Sequence, residues 1–88
     1  MFKITHNKGF HIKFANGYNV SVQWGGGNLC ENRHLDYVGP ETPVPASATA
    51  EVAVWDKDGQ WVSLSPYDVI GYQTPEQVAA IIADFASR

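Results

Sequence analysis

The chain has 88 residues, of which 44% are hydrophobic and 17% are charged, and its formal net charge is −3. This length predicts a single domain over residues 1–88, large enough to bury a hydrophobic core without a metal or a disulfide. The weak negative charge argues against a nucleic-acid binder, which needs clustered basic residues, and no apolar stretch approaches the roughly 18 residues that span a membrane.

Apolar and polar side chains alternate through the first 24 residues, which is the pattern of half-buried β-strands. We predict a three-stranded antiparallel meander over 2–6, 10–14 and 18–24, with turns at Asn7-Lys8-Gly9 and Ala15-Asn16-Gly17. Each turn ends in glycine, which enters the left-handed region of a bulged hairpin loop without a Cβ clash. This register places the apolar side chains on one face through the pairs Ile4–Ile12, Phe14–Tyr18, Ile12–Val20 and Phe10–Val22.

A long irregular loop is predicted over 25–49, and connections longer than about 12–15 residues are usually functional or disordered. Its glycine run at 25–27 lacks the spacing and the following Lys-Ser/Thr of a phosphate-binding loop. Cys30 and His34 lie four residues apart, a spacing suited to two metal ligands or a thiolate–imidazole pair, but two ligands do not make a site. We therefore predict no catalytic residue, metal site or cofactor.

A second hairpin is predicted over 51–56 and 60–64, around the turn Lys57-Asp58-Gly59. A two-residue turn at Asp58-Gly59 would mix apolar and polar side chains on both faces, so we favour a three-residue bulged loop. This register pairs Val54 with Val62, Val52 with Leu64 and, on the opposite face, Trp55 with Trp61.

The C-terminal segment carries the signals of an amphipathic helix. Thr74 stands at the N-cap, Pro75 at the first helical position and Gln77 where a capping box requires it. An apolar stripe at helical spacing follows, formed by Val78, Ile81, Ile82 and Phe85. We therefore predict an α+β fold, in which an antiparallel sheet of about five strands is covered on one face by one C-terminal α-helix.

Two interpretations of Trp55 and Trp61 remain open. If the sheet is covered on both faces, the two side chains belong to the core. If the helix covers only the valine face, they form an exposed aromatic platform of the kind that binds a protein surface or stacks on a base. The predicted binding residues are these two tryptophans and residues of nearby loops: Trp55, Trp61, Tyr37, Tyr67, Tyr72, Asn28, Arg33 and His34.

Two features favour the cytoplasm as the location of the protein. The N-terminal sequence enters a predicted strand directly, without the apolar segment of a secretory signal. Cys30 is the single cysteine of the chain, so no internal disulfide forms, as is usual in reducing compartments.

Three segments carry a resemblance to a known class of proteins: Val22-Gln23-Trp24-Gly25, the run from Ala53 to Gly59, and the run from Gly71 to Val78. In size and style the whole chain resembles the small orphan proteins of tailed bacteriophages and prophages, without a shared functional motif. The resemblance implies a non-enzymatic binding protein of the host cytosol that inhibits or sequesters a host component, for example a defence system.

The expected partner is accordingly a host or phage protein, or a small ligand. Two other functions remain open on the sequence. One is a nucleic-acid-associated module that uses Lys3, His11 and Lys13 together with exposed aromatic residues. The other is a small homo-oligomeric structural protein.

Overall fold

The computed structural model describes residues 1–4, 8–34 and 46–88. These residues form one antiparallel sheet of six strands and one α-helix, so the predicted α+β fold is confirmed. The elements are β1 (Phe2–Ile4), β2 (Gly9–Lys13), β3 (Asn19–Gln23), β4 (Ala50–Trp55), β5 (Trp61–Val62), β6 (Val69–Gln73) and α1 (Pro75–Ala86). The strand order is β1-β2-β3-β4-β5, and β6 also pairs with β4.

The hairpin of β2 and β3 has the predicted register. Phe10 lies opposite Val22 and Ile12 lies opposite Val20. The turn closes with a hydrogen bond of 2.9 Å from the Phe14 backbone N–H to the Tyr18 carbonyl oxygen, and Gly17 has a φ of 94°. Glycine is favoured there because an L side chain is strained in the left-handed region. These pairs confirm that the alternating apolar residues share one face.

The predicted pairing of Ile4 with Ile12 is wrong, because Ile4 lies opposite Phe10 instead. Gly9, which the prediction used in the turn, is part of β2 and lies opposite Gln23. A Cβ atom at Gly9 would be only 2.0 Å from the Val22 carbonyl oxygen, so the close approach of the strands requires glycine here. The register shift is two residues, which leaves the side chains of β1 on their predicted faces. Residues 5 and 6 of the predicted strand and Asn7 of the predicted turn lie outside the described residues.

The second hairpin is confirmed at its turn but is shorter than predicted. Val54 pairs with Val62 and Trp55 pairs with Trp61 across the bulged loop. The predicted strand over 60–64 ends after two residues. The chain leaves the sheet over 63–68.

The predicted pairing of Val52 with Leu64 is also wrong, because β6 occupies that position. Val52 lies opposite Ile70, in a strand that no sequence pattern predicted. β6 continues along the same side of β4 as β5 does, with a bulge before the Ala50–Gln73 pair. Tyr72 in this bulge has a φ of 54°. One side of β4 is therefore paired first with β5 and then with β6.

The helix begins where its capping signals predict. The Gln77 backbone N–H donates to Thr74 Oγ1 at 3.3 Å, and the Thr74 backbone N–H donates to Gln77 Oε1 at 2.9 Å. The helix packs on β3, β4 and β6, over one face of the sheet that we call the inner face. The buried core between the helix and this face consists of Val20, Val22, Ala50, Val52, Val54 and Phe85.

The end of α1 is fastened to the first half of the chain. Asn16 Nδ2, in the turn between β2 and β3, donates to the Phe85 carbonyl oxygen at 2.7 Å and to that of Arg88 at 3.1 Å. The last carbonyl groups of a helix have no donors within the helix, and an amide side chain supplies them here. In the described part of the chain, no helix has the length and apolar character needed to cross a membrane.

A candidate binding surface on the outer face of the sheet

The face of the sheet opposite the helix, which we call the outer face, carries the side chains that alternate with the core residues. Two rows of neighbouring residues run across it, as the strand registers show. One row consists of Lys3, His11, Ser21, Ala53 and Val69. The other consists of Lys13, Asn19, Trp55 and Trp61.

Trp55 and Trp61 form an aromatic pair on this face. Their ring centroids are 5.5 Å apart with an interplanar angle of 57°. Trp61 is 54% exposed and Trp55 is partly buried, so the interpretation of the pair as core is wrong for Trp61. The helix covers the valine face, so the tryptophan pair lies on the uncovered face of the sheet, as the second interpretation predicts.

His11 extends the aromatic pair across the sheet. Its ring lies edge-on to Trp55, with centroids 5.0 Å apart and an interplanar angle of 83°. Burial lowers the pKa of His11 below the ordinary 6.5, and the positive charge of Lys3 lowers it further. The imidazole is therefore neutral at pH 7, and the positive charges on this part of the outer face are those of Lys3 and Lys13.

Small side chains form the centre of the outer face. Ser21 and Ala53 are only 6% and 7% exposed, although they lie on the face without a helix. Larger side chains flank them on the neighbouring positions, and Gln23 Nε2 donates to Ser21 Oγ at 3.3 Å. Because these two side chains are nearly inaccessible to solvent, the part of the outer face that a partner can contact is formed by larger side chains such as Trp61.

The predicted tyrosines do not gather around the tryptophans. Tyr67 is 82% exposed in the 63–68 segment, and Tyr72 is 50% exposed near the end of β6 that pairs with Ala50. Trp61 pairs with Trp55 at the other end of β4. Tyr72 and the tryptophans therefore lie at opposite ends of β4. Tyr37 lies outside the described residues.

The predicted residues of the long loop lie with Tyr72 rather than with the tryptophans. The Leu29 backbone N–H donates to Glu51 Oε2 at 2.8 Å, and the Tyr72 backbone N–H donates to the Leu29 carbonyl oxygen at 2.9 Å. These bonds fasten the 25–34 segment to the start of β4. The described part of the loop is thus a cap on the far end of the sheet.

Asn28, Arg33 and His34 have local partners within this cap. Asn28 Nδ2 donates to the Trp24 carbonyl oxygen at 3.0 Å, which orders the glycine turn. Arg33 Nε donates to His34 Nε2 at 3.2 Å, and both side chains are exposed. Cys30 is fully buried and its Sγ lies 3.2 Å from Asn32 Oδ1. Within the described ranges, no three His, Cys, Asp or Glu side chains are grouped as a metal ion requires.

Sequence reasoning assigned His11 only to the nucleic-acid alternative and missed its contact with Trp55. His11 and Trp55 lie on the same face of β2 and β4 with β3 between them, so the pairing of adjacent strands does not reveal this contact. In comparisons with known proteins, the chain matches no family model, no curated protein and no solved structure. The chemistry of the outer face is therefore the basis for a functional assignment.

Proposed function

We propose that this protein is a non-enzymatic binding protein that captures a partner protein on its outer face. The observation that supports this most strongly is the exposed Trp61 packed against Trp55 on the face without a helix. A large aromatic side chain left in water is costly, since burial of one removes about 150–250 Å² of surface from water. Tryptophan is also enriched among the residues that dominate binding energy in protein interfaces.

The lysines of the outer face favour an acidic partner surface. Lys3 and Lys13 lie on the outer face, whereas the whole chain carries a net charge of −3. Oppositely charged surfaces accelerate encounter and fix the orientation of a complex. In keeping with the resemblance to phage proteins, we propose a host protein of the cytosol as the partner, inhibited by occupation of its surface.

A pull-down from a bacterial host lysate tests this function. The wild-type protein is expected to retain a specific host protein, identified by mass spectrometry and then purified for titration. Trp61→Ala should weaken its binding at least about tenfold while circular dichroism stays unchanged, because truncation removes an interface anchor. Phe2→Ala is the matched control, since Phe2 is 73% exposed but lies on the inner face. Equal binding by wild type and Trp61→Ala would refute the proposal.

A second candidate function is the binding of single-stranded nucleic acid. It is favoured by one observation: Lys3, Lys13 and the aromatic pair lie on the same face. Two phosphate contacts predict that the logarithm of the binding constant falls with the logarithm of salt concentration with a slope of about −1.4. Fluorescence anisotropy of a labelled oligonucleotide measures this slope. Absence of binding at low salt would rule out this second function.

A further inference from the structure

A cavity of about 290 Å³ lies on the inner face, on the opposite side of the sheet from the aromatic pair. Phe10 and Trp24 lie on its sheet side, and Val78, Ala79 and Ile82 lie on its helix side. Ser47, Ala48 and Thr49 also belong to the lining. The cavity is close to the lower end of the range of about 300–1,000 Å³ over which small-molecule sites occur.

The polar side chains around the cavity already form hydrogen bonds with the protein. Ser47 Oγ donates to the Thr49 carbonyl oxygen at 2.7 Å, and Thr49 Oγ1 accepts from the Glu31 backbone N–H at 2.8 Å. Gln73 Nε2 donates to the Gly71 carbonyl oxygen at 3.1 Å. Among the residues that the structure describes, the lining holds no charged side chain. A phosphate or carboxylate group would therefore find no cation among these residues.

The aromatic residues of the sheet side are arranged in a series of edge-to-face contacts. The ring centroids of Phe2 and Phe10 are 6.1 Å apart, and those of Phe10 and Trp24 are also 6.1 Å apart, at interplanar angles of 65° and 72°. A further aromatic ring in the cavity would extend this series, and such pairs add about 0.5–1.5 kcal/mol to simple burial. The lining thus favours an aromatic ligand over an alkyl chain.

We propose that this cavity binds a small uncharged fused-ring aromatic compound. An engineered apolar cavity of about 150 Å³ binds benzene, so a cavity of about twice that size suits a bicyclic ring system of about ten carbons. This site is independent of the partner-protein function, because its residues lie on the other face of the sheet. Through this cavity the protein would sequester a small molecule in addition to a partner protein.

The test is a titration of the ¹⁵N-labelled full chain with naphthalene, followed by NMR. The three tryptophan indole N–H signals report on different places, because Trp24 lines the cavity and Trp55 and Trp61 lie on the outer face. We expect a saturable shift of the Trp24 signal and unchanged signals of the other two. No saturable shift of Trp24 up to the solubility limit of naphthalene would overturn the proposal, as would equal shifts of all three signals.

Two helix variants form a matched pair. Ala79 and Ala80 are both exposed, but only Ala79 belongs to the lining. Ala79→Phe should fill the cavity and weaken naphthalene binding at least about tenfold, whereas Ala80→Phe should bind as the wild type does. Ala48→Leu fills the cavity from the opposite side and serves if Ala79→Phe does not fold. Undiminished binding by a folded cavity-filling variant would contradict the site, and tighter binding of 1-octanol than of naphthalene would contradict the aromatic class.

Discussion

His11 is the residue on the outer face whose charge depends on pH near neutrality. Burial, followed by the positive charge of Lys3, lowers its pKa below the 6.5 expected in the unfolded chain. On acidification the unfolded chain therefore takes up this proton before the folded protein does. The contribution of His11 to the free energy of unfolding is complete above about pH 6.5 and is lost as the pH falls towards the lower pKa of the folded state.

We accordingly predict that the wild-type protein loses more stability between pH 7 and pH 5 than His11→Gln does. Urea denaturation at several pH values measures this difference. In an NMR titration, the His11 ring should change protonation below pH 6.5, and Lys3→Gln should move its pKa upwards. Parallel stability curves for wild type and His11→Gln would contradict the prediction.

At the scale of elements, the helix start depends on Thr74. Its hydroxyl accepts from the Gln77 backbone N–H, and Gln77 returns a bond to the Thr74 backbone N–H. Thr74→Ala removes the hydroxyl acceptor and is expected to lower the free energy of unfolding by about 1 kcal/mol. Chemical denaturation measures the loss. Thr74→Ser keeps the hydroxyl and should retain most of the stability; an equal loss in both variants would show that the cap is not the cause.

How far the elements could be predicted depends on whether their signals are local. Gly17 and Gly59 mark bulged turns, and these turns set the strand registers across β2–β3 and β4–β5. β6 could not be predicted because its sequence does not alternate and the Gly71-Tyr72 bulge interrupts its pairing with β4. Its formation depends on a partner strand distant in sequence, which no pattern within 69–73 records.

The first register error has a related cause. Gly9 looks like a turn residue but serves as a strand residue, where the neighbouring Val22 carbonyl oxygen leaves no room for a Cβ atom. The requirement for glycine was correctly inferred, but its reason was not. A close approach between strands and a left-handed turn both require glycine, and a single sequence does not distinguish them.

At the scale of the whole molecule, the sequence predicts which residues of the candidate site pair, but not which of them are exposed. The pairing of Trp55 with Trp61 follows from the turn between them. Their exposure depends on which face the helix covers, and that is set by the packing of Phe85 and its neighbours on the sheet. Tyr72 is separated from the tryptophans because β5 and β6 pair with opposite ends of β4. Local sequence patterns do not predict this division of the pairing.

Phe85 and Trp61 should respond to truncation in opposite ways. Phe85 is 2% exposed in the core, so Phe85→Ala is expected to cost about 3–5 kcal/mol of unfolding free energy. Trp61→Ala loses the aromatic pair with Trp55, worth about 0.5–1.5 kcal/mol beyond area burial, and the burial of the part of the ring that is not exposed, so it should cost less than Phe85→Ala. Urea denaturation of both variants measures the difference. A loss at Trp61 as large as that at Phe85 would mean that Trp61 is present for folding rather than for binding.

Because the Cys30 thiol is buried, its rate of alkylation can report on the opening of the cap at the end of the sheet. Asn32 accepts from the Gly25 backbone N–H at 2.8 Å and lies against the thiol, so the 25–34 segment folds around it. A thiol reagent in solution reaches this atom only when the segment opens. The rate of alkylation of the native protein therefore records how often the cap detaches, and any molecule that holds the cap in place slows the reaction.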